Sequence, residues 1–286
     1  MQRTGLPPEP ARVLADVLLF WAGYVVILAV AEPAWAALPR GWRGLAWGSA
    51  SAVGVLALSL LLLRLERRSP ASVGLGLRAT TPLRFLAGVL LGLTLFAMTI
   101  VATIVLAGPV RFDARPIGGT MLAVRICGYL VIACTEELGF RGYALRSLHP
   151  VLGLWPAQAV VALAFGLNHL VYGWSLADVA LGVLPGALLF GLAALASRGL
   201  ALPIGLHAAW NVASWSIGVR GPWTMVVAAG ERGRMAVAGR FSATAVLLLA
   251  AVGAWLWYRE RGHEGGLASP ATQRVARVSL TSPGMS

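Results

Sequence analysis

Five polar side chains lie within otherwise apolar stretches of this chain, and their types are those that perform acid–base chemistry. Glu136 and Glu137 follow the run YLVIAC, His169 ends the string FGLNH, and His207 begins the string HAAWN, which ends at Asn211. A carboxylate at the centre of a bilayer costs roughly 2.5–3.5 kcal/mol on insertion scales, so such groups are usually functional. A base, an orienting histidine and donors for an oxyanion are what a hydrolase needs.

The two neighbouring glutamates are expected to differ in role. Arg141 follows Glu137 by four residues, so the two share a helical face and can form an ion pair. Glu136 points about 100° away on the same helix and lacks such a partner. An unpartnered carboxylate in a low-dielectric site can act as a base near neutral pH.

Plainer interpretations stay open for each of these residues. The Glu137–Arg141 pair could cap a span at the membrane interface. A lone histidine could donate to a backbone carbonyl, and Asn211 could join two helices by a hydrogen bond.

A metal site is a second chemical interpretation of the same residues. Glu136, His169 and His207 supply two imidazoles and one carboxylate, the ligand set of hydrolytic zinc sites with an open fourth position. The chain has no HExxH string, so such a site would be assembled from different helices.

Three motifs resemble those of one protease family. EELGFR (Glu136–Arg141) fits EExxxR, FGLNH (Phe165–His169) fits FxxxH, and HAAWN (His207–Asn211) fits HxxxN. Their order and spacing on successive apolar helices resemble the CAAX-protease and bacteriocin-processing (CPBP) family of intramembrane endopeptidases. The resemblance extends over about Cys127 to Ser214.

The resemblance implies a role for each motif residue. Glu136 and His169 would activate the attacking water, and His207 and Asn211 would stabilise the oxyanion. Glu137 and Arg141 would orient and neutralise one another, and Phe165 would pack beside the site. Family members are described both as metalloproteases and as metal-free, glutamate-dependent proteases, so zinc remains open as a cofactor.

The composition is that of a membrane protein. Of 286 residues, 58% are hydrophobic and 12% charged, about half the charge of an ordinary soluble domain. This excludes a soluble globular enzyme, a disordered chain and a disulfide-stapled secreted domain. The formal net charge is +12, but the arginines flank apolar runs rather than forming one basic face, so we expect no nucleic-acid partner.

The elements that must position these residues are transmembrane helices, because backbone groups in lipid need internal partners. A bilayer core requires about 20 apolar residues, and eight stretches qualify. They are Val13–Ala31, Gly44–Leu63, Phe85–Val110, Pro116–Thr135, Pro150–Ala177, Val179–Ser197, Gly199–Val219 and Phe241–Tyr258. The fold class is therefore predicted to be all-α, a polytopic transmembrane bundle of about eight helices.

The arginine distribution orients this bundle. The loop between the second and third spans holds five arginines, so it is expected to be cytoplasmic, which places both termini in the cytoplasm. We predict a cytoplasmic N-terminal segment (1–11), a bundle (12–258) with its protease core at about 118–219, and a disordered cytoplasmic tail (259–286). The absence of lysine suggests a GC-rich bacterial source and hence a bacterial plasma membrane.

The predicted function is intramembrane hydrolysis of a peptide bond in a membrane-associated protein or peptide. The alternatives are an inactive family relative that serves as an immunity or scaffold protein, and a proton-coupled transporter. Glu136, His169 and His207 should converge on one cavity that water reaches from one face. Span counting, however, places His169 near the outer end of its helix and His207 in the inner half of its own, at different depths.

Overall fold

The structure, a computed structural model, describes residues 9–35, 38–218 and 221–267. Eight long helices account for most of this part of the chain. They are α1 (Pro10–Ala34), α2 (Arg40–Leu65), α3 (Thr81–Ala107), α4 (Gly119–Glu137), α6 (Leu154–Val171), α8 (Leu184–Ser197), α9 (Ala201–Ser216) and α10 (Arg232–Leu267). Two shorter helices, α5 (Tyr143–Leu152) and α7 (Leu176–Asp178), precede α6 and α8.

Each of the eight predicted spans corresponds to one long helix, so the predicted all-α bundle is confirmed. Six helical stretches in the described residues are long and apolar enough to cross a membrane. Helices α4 and α9 are outside that set. Helix α4 carries Arg125, Glu136 and Glu137, and α9 has 16 residues. Both helices that fall short carry predicted site residues, Glu136 and Glu137 on α4 and His207 and Asn211 on α9.

The helix that carries the glutamates continues beyond the predicted end of its span. A π-helical turn (Leu138–Gly142) joins α4 to α5 without a loop. Pro150, the predicted start of the next span, therefore lies in the last turn of α5, and α6 begins after Gly153, whose φ is +79°. The predicted fourth span ended at Thr135, because the apolar run stops where the charged residues begin. The helix itself continues past this point.

Helix α10 also passes its predicted boundary at residue 258 and continues to Leu267. Two arginines of this extension lie over tryptophan rings one turn earlier: Arg259 is 4.9 Å from the Trp255 ring and Arg261 is 4.8 Å from the Trp257 ring. These cation–π contacts favour the helical conformation over the predicted disordered tail at this point. Residues 1–8 and 268–286, within the predicted terminal segments, lie outside the described residues.

A small antiparallel sheet connects two loops at one end of the bundle. Strand β1 (Arg111–Ala114) follows α3 and pairs with strand β2 (Trp223–Val226), which follows α9. The α3–α4 and α9–α10 connections therefore lie on the same side, as the predicted alternation of spans requires. The cytoplasmic placement of the opposite side remains a prediction.

Helix α9 is held against α3 at very short range. A Cβ atom at Gly88 would lie 2.1 Å from the carbonyl oxygen of Leu202, and one at Gly205 would lie 2.2 Å from the carbonyl oxygen of Phe85. Small residues at such crossings allow close backbone packing in membranes. This packing fixes the position of the α9 helix that carries His207.

Candidate active site

A cavity of about 380 Å³ lies between α1, α2, α4, α6 and α9. Glu136, His169, His207 and Asn211 all line it. Most of the remaining wall is aromatic, formed by Tyr24, Trp47, Tyr129, Tyr172, Trp174 and Trp215. Four of the six predicted site residues therefore meet around one space.

The other two predicted residues, Glu137 and Arg141, form an ion pair behind this wall. Both side chains are completely buried, and Arg141 Nη1 lies 3.2 Å from Glu137 Oε1. The guanidinium lies 4.2 Å from the centre of the Phe165 ring, and its Nη2 donates to the carbonyl oxygen of Ala187 at 3.4 Å. Charges this deep are tolerated because each is paired.

His207 connects the two glutamates. Its Nδ1 lies 2.9 Å from Glu137 Oε1, and its Nε2 lies 3.3 Å from Glu136 Oε2. The imidazole stacks on the Phe190 ring at 4.5 Å. The side chains therefore form one continuous series of contacts, from Arg141 through Glu137 and His207 to Glu136. This series ends at the cavity with Glu136.

Protons on this series are constrained by its geometry. Glu137 Oε1 accepts from both Arg141 and His207, which places a proton on His207 Nδ1. A proton on His207 Nε2 would let that nitrogen donate towards Glu136 Oε2, which lies 3.3 Å away. Glu137 is therefore placed to hold the imidazole orientation, a role beyond the mutual neutralisation with Arg141 that the family resemblance implies.

His169 is oriented through its own helix. Its Nδ1 lies 2.9 Å from the carbonyl oxygen of Phe165, one turn earlier. A carbonyl can only accept, so Nδ1 carries the proton and, in the neutral ring, Nε2 keeps a lone pair. The ring packs edge-on against Phe165 at 4.5 Å and against Trp174 at 5.1 Å.

The expected difference in depth between the histidines does not separate them. The Phe165 ring lies 4.5 Å from that of His169 and 6.1 Å from that of His207, so it contacts both. The positions of Glu136 and His207 along their helices also correspond. A Cβ atom added at Gly142, which is six residues after Glu136, would lie 3.5 Å from Cδ1 of Leu200, which is seven residues before His207. The glutamate helix and α9 are therefore in register, because α4 continues through its π-helical turn instead of ending at the glutamates.

Sequence reasoning missed the contribution of α1. Tyr24 is 2% exposed and lines the cavity, and its ring packs edge-on against Phe140 at 5.4 Å. A tyrosine in the middle of an apolar span was the available signal, since a buried hydroxyl usually requires a polar neighbour.

Zinc binding by Glu136, His169 and His207 stays a prediction. His207 Nδ1 faces Glu137 Oε1 at 2.9 Å, and His207 Nε2 faces Glu136 Oε2 at 3.3 Å. Within the described ranges, no three His, Cys, Asp or Glu side chains are grouped to hold a metal ion. The residues as placed fit a hydrogen-bonded acid–base site.

Residues 118–213 match the sequence model of a protease family, described as type II CAAX prenyl endopeptidase Rce1-like. The match spans about a third of the chain and includes all three motifs. The family that the motifs resemble is thereby confirmed for this segment. No curated protein matches the chain.

Proposed function

Starting from the membership of residues 118–213 in this family of proteases, we propose that the protein is an intramembrane endopeptidase. It would hydrolyse a peptide bond of a membrane-associated protein or peptide. The observation that carries the proposal is the cavity in which Glu136, His169, His207 and Asn211 meet among apolar helices. Its partners are then the lipid bilayer and a peptide or protein substrate.

Water activation is assigned to Glu136 and His169. The Glu136 side chain is 15% exposed, whereas that of Glu137 is fully buried, so Glu136 is the carboxylate that water can reach. Glu136 would take a proton from the attacking water, while the lone pair on His169 Nε2 would accept the second water hydrogen and orient the oxygen. General-base catalysis of this kind typically contributes about 10²–10⁴-fold.

Oxyanion stabilisation is assigned to His207 and Asn211, which share one face of α9. Once Glu136 has taken the proton, its carboxyl no longer requires the hydrogen on His207 Nε2. That N–H can then donate to the developing oxyanion, together with the Asn211 amide. Each such donor is typically worth about 2.7–4 kcal/mol in the transition state.

Glu137 and Arg141 would act as positioning residues. The carboxylate of Glu137 holds the proton on His207 Nδ1 at 2.9 Å, and Arg141 neutralises that carboxylate at 3.2 Å. With Nδ1 occupied, His207 presents Nε2 to the reaction. A third group that orients an imidazole is a recurrent element of hydrolytic sites.

We further propose a bacterial plasma-membrane location with both termini in the cytoplasm, on the arginine distribution. The cavity would then be reached within the bilayer by a substrate that is itself anchored there. An inactive relative or a proton-coupled transporter would carry the same buried groups, but neither would release new peptide ends.

The test is a comparison of membrane and secreted peptides from cells that produce the wild type, Glu136→Ala or Glu260→Ala. Glu260 is an exposed glutamate on α10, so its replacement is the matched control. Peptides that appear with the wild type and the control but not with Glu136→Ala, at equal membrane levels of the three proteins, would support proteolysis. Identical peptides from all three would contradict it.

A further inference from the structure

A second, larger cavity of about 780 Å³ adjoins the candidate active site. It is a groove between α1 and α6, with Phe140 of the π-helical turn beside Trp21 at one end. Helix α1 packs on α2 and α5, and α6 packs on α5 and α8, which leaves this space between them. Exposed apolar side chains such as Val25, Leu167 and Val171 border it, so the groove opens sideways towards lipid.

The groove is continuous with the active-site cavity. Tyr24, Leu28, Asn168 and Tyr172 line both spaces. A chain lying in the groove would therefore reach the cavity that holds Glu136 by passing Tyr24, Tyr172 and Asn168.

The dimensions of the groove suit an extended peptide. Its wall on α1 extends from Trp21 to Glu32, about 16 Å at 1.5 Å per residue. That length accommodates roughly five residues of extended chain at about 3.3 Å each.

The charge of the groove indicates one further feature of its occupant. Glu32 is the one charged side chain among the described residues that line it, and it lies at the end away from Trp21. A carboxylate at the mouth of an apolar groove favours a basic residue at the corresponding end of the bound segment.

We infer that this groove binds an extended, apolar segment of the substrate that is followed or preceded by a basic residue, which Glu32 receives. The inference rests on the proposed protease function and assigns the substrate-recognition site outside the reacting residues. An alkyl or isoprenoid chain would leave Asn168 and the two tyrosine hydroxyls without partners. An unwound peptide in a membrane needs such groups for its own backbone.

Photo-crosslinking tests the site without requiring turnover. In the Glu136→Ala protein, p-benzoylphenylalanine replaces either Leu167 or Leu163. Both leucines lie on α6 and are 62% and 64% exposed, but only Leu167 lines the groove among the described residues. The protein is reconstituted in phosphatidylethanolamine–phosphatidylglycerol vesicles. The probe is an unmodified peptide with five consecutive leucines next to one lysine, and a second peptide has glutamate in place of the lysine.

The expected result is crosslinking of the lysine peptide at position 167 and little at position 163. The glutamate peptide should crosslink about fivefold less, because an attraction of order 1 kcal/mol is lost. Glu32→Gln should remove that difference. Equal crosslinking at both positions, or displacement of the peptide by a palmitoylated tripeptide, would overturn the inference.

A failure here is distinguishable from a failure of the protease proposal. The crosslink is read in a variant without the reacting carboxylate, so it does not depend on cleavage. If the wild type releases new peptides but the probe peptide does not crosslink at position 167, the protease proposal stands and the groove assignment is wrong.

Discussion

Replacing Arg141 with methionine should strongly destabilise the fold, because it strands a fully buried carboxylate. Arg141 and Glu137 have no exposed side-chain surface and lie 3.2 Å apart. Removing one partner of a buried ion pair typically costs about 3–5 kcal/mol. The contact of the guanidinium with the Phe165 ring, at 4.2 Å, is lost as well, although the apolar methionine side chain refills most of that space.

A second substitution should recover part of this loss. In the double variant Arg141→Met with Glu137→Gln no isolated charge remains in the pair, so the two effects should not add. We expect a coupling free energy of about 2–3 kcal/mol. Activity should not return with stability, because His207 Nδ1 then faces a neutral amide in place of the carboxylate.

The assay is the free energy of unfolding of the wild type, both single variants and the double variant in one detergent. Cleavage is measured on the same preparations. The reasoning would be refuted by additive destabilisation, or by a double variant that regains wild-type cleavage. Additive destabilisation would contradict the stabilising ion pair. Wild-type cleavage by the double variant would contradict the positioning of His207 by Glu137.

Three further expectations concern packing, pH and metal. Gly88→Ala should destabilise the fold by about 1–3 kcal/mol, because its Cβ would meet the Leu202 carbonyl. Gly253 has open space around it, so Gly253→Ala should be neutral or slightly stabilising in the same unfolding assay. Burial, and then the charge of Arg146, lower the pKa of His149, so the folded protein binds fewer protons there than the unfolded chain. The free energy of unfolding should therefore fall as the pH drops below the unfolded pKa of about 6.5. His149→Gln should lessen that fall in a series of unfolding curves measured at different pH values. Cleavage should survive chelator treatment, and elemental analysis of the purified protein should find far less than one zinc per chain; loss of cleavage that zinc alone restores would contradict a metal-independent site.

The sequence predicted well what local spacing controls. The four-residue separation of Glu137 and Arg141 predicted their ion pair, and apolar run lengths predicted eight helices. The hydrogen bond from His169 to the Phe165 carbonyl, the plainer interpretation of that histidine, is also a contact within one helical turn. It is compatible with a functional role, since the second ring nitrogen remains available.

Long-range contacts were beyond the reach of the same reasoning. His207 meets Glu137 across 70 positions of the chain, and no periodicity specifies such a contact. Span counting placed the histidines at different depths because charge was taken to end the fourth span, whereas the helix continues through its π-helical turn. Tyr24 and Glu32 belong to α1, where no motif marks them, and their relation to the site follows from packing alone.

The central claim is that Glu136 activates the water that cleaves the substrate. Its most direct test is the cleavage rate, in proteoliposomes, of a peptide identified from cells, by the wild type and by Glu136→Gln. The variant keeps the size of the side chain and removes the base, so the rate should fall about 10²–10⁴-fold while the unfolding curve stays close to that of the wild type. A folded Glu136→Gln protein that cleaves at the wild-type rate would contradict the assignment.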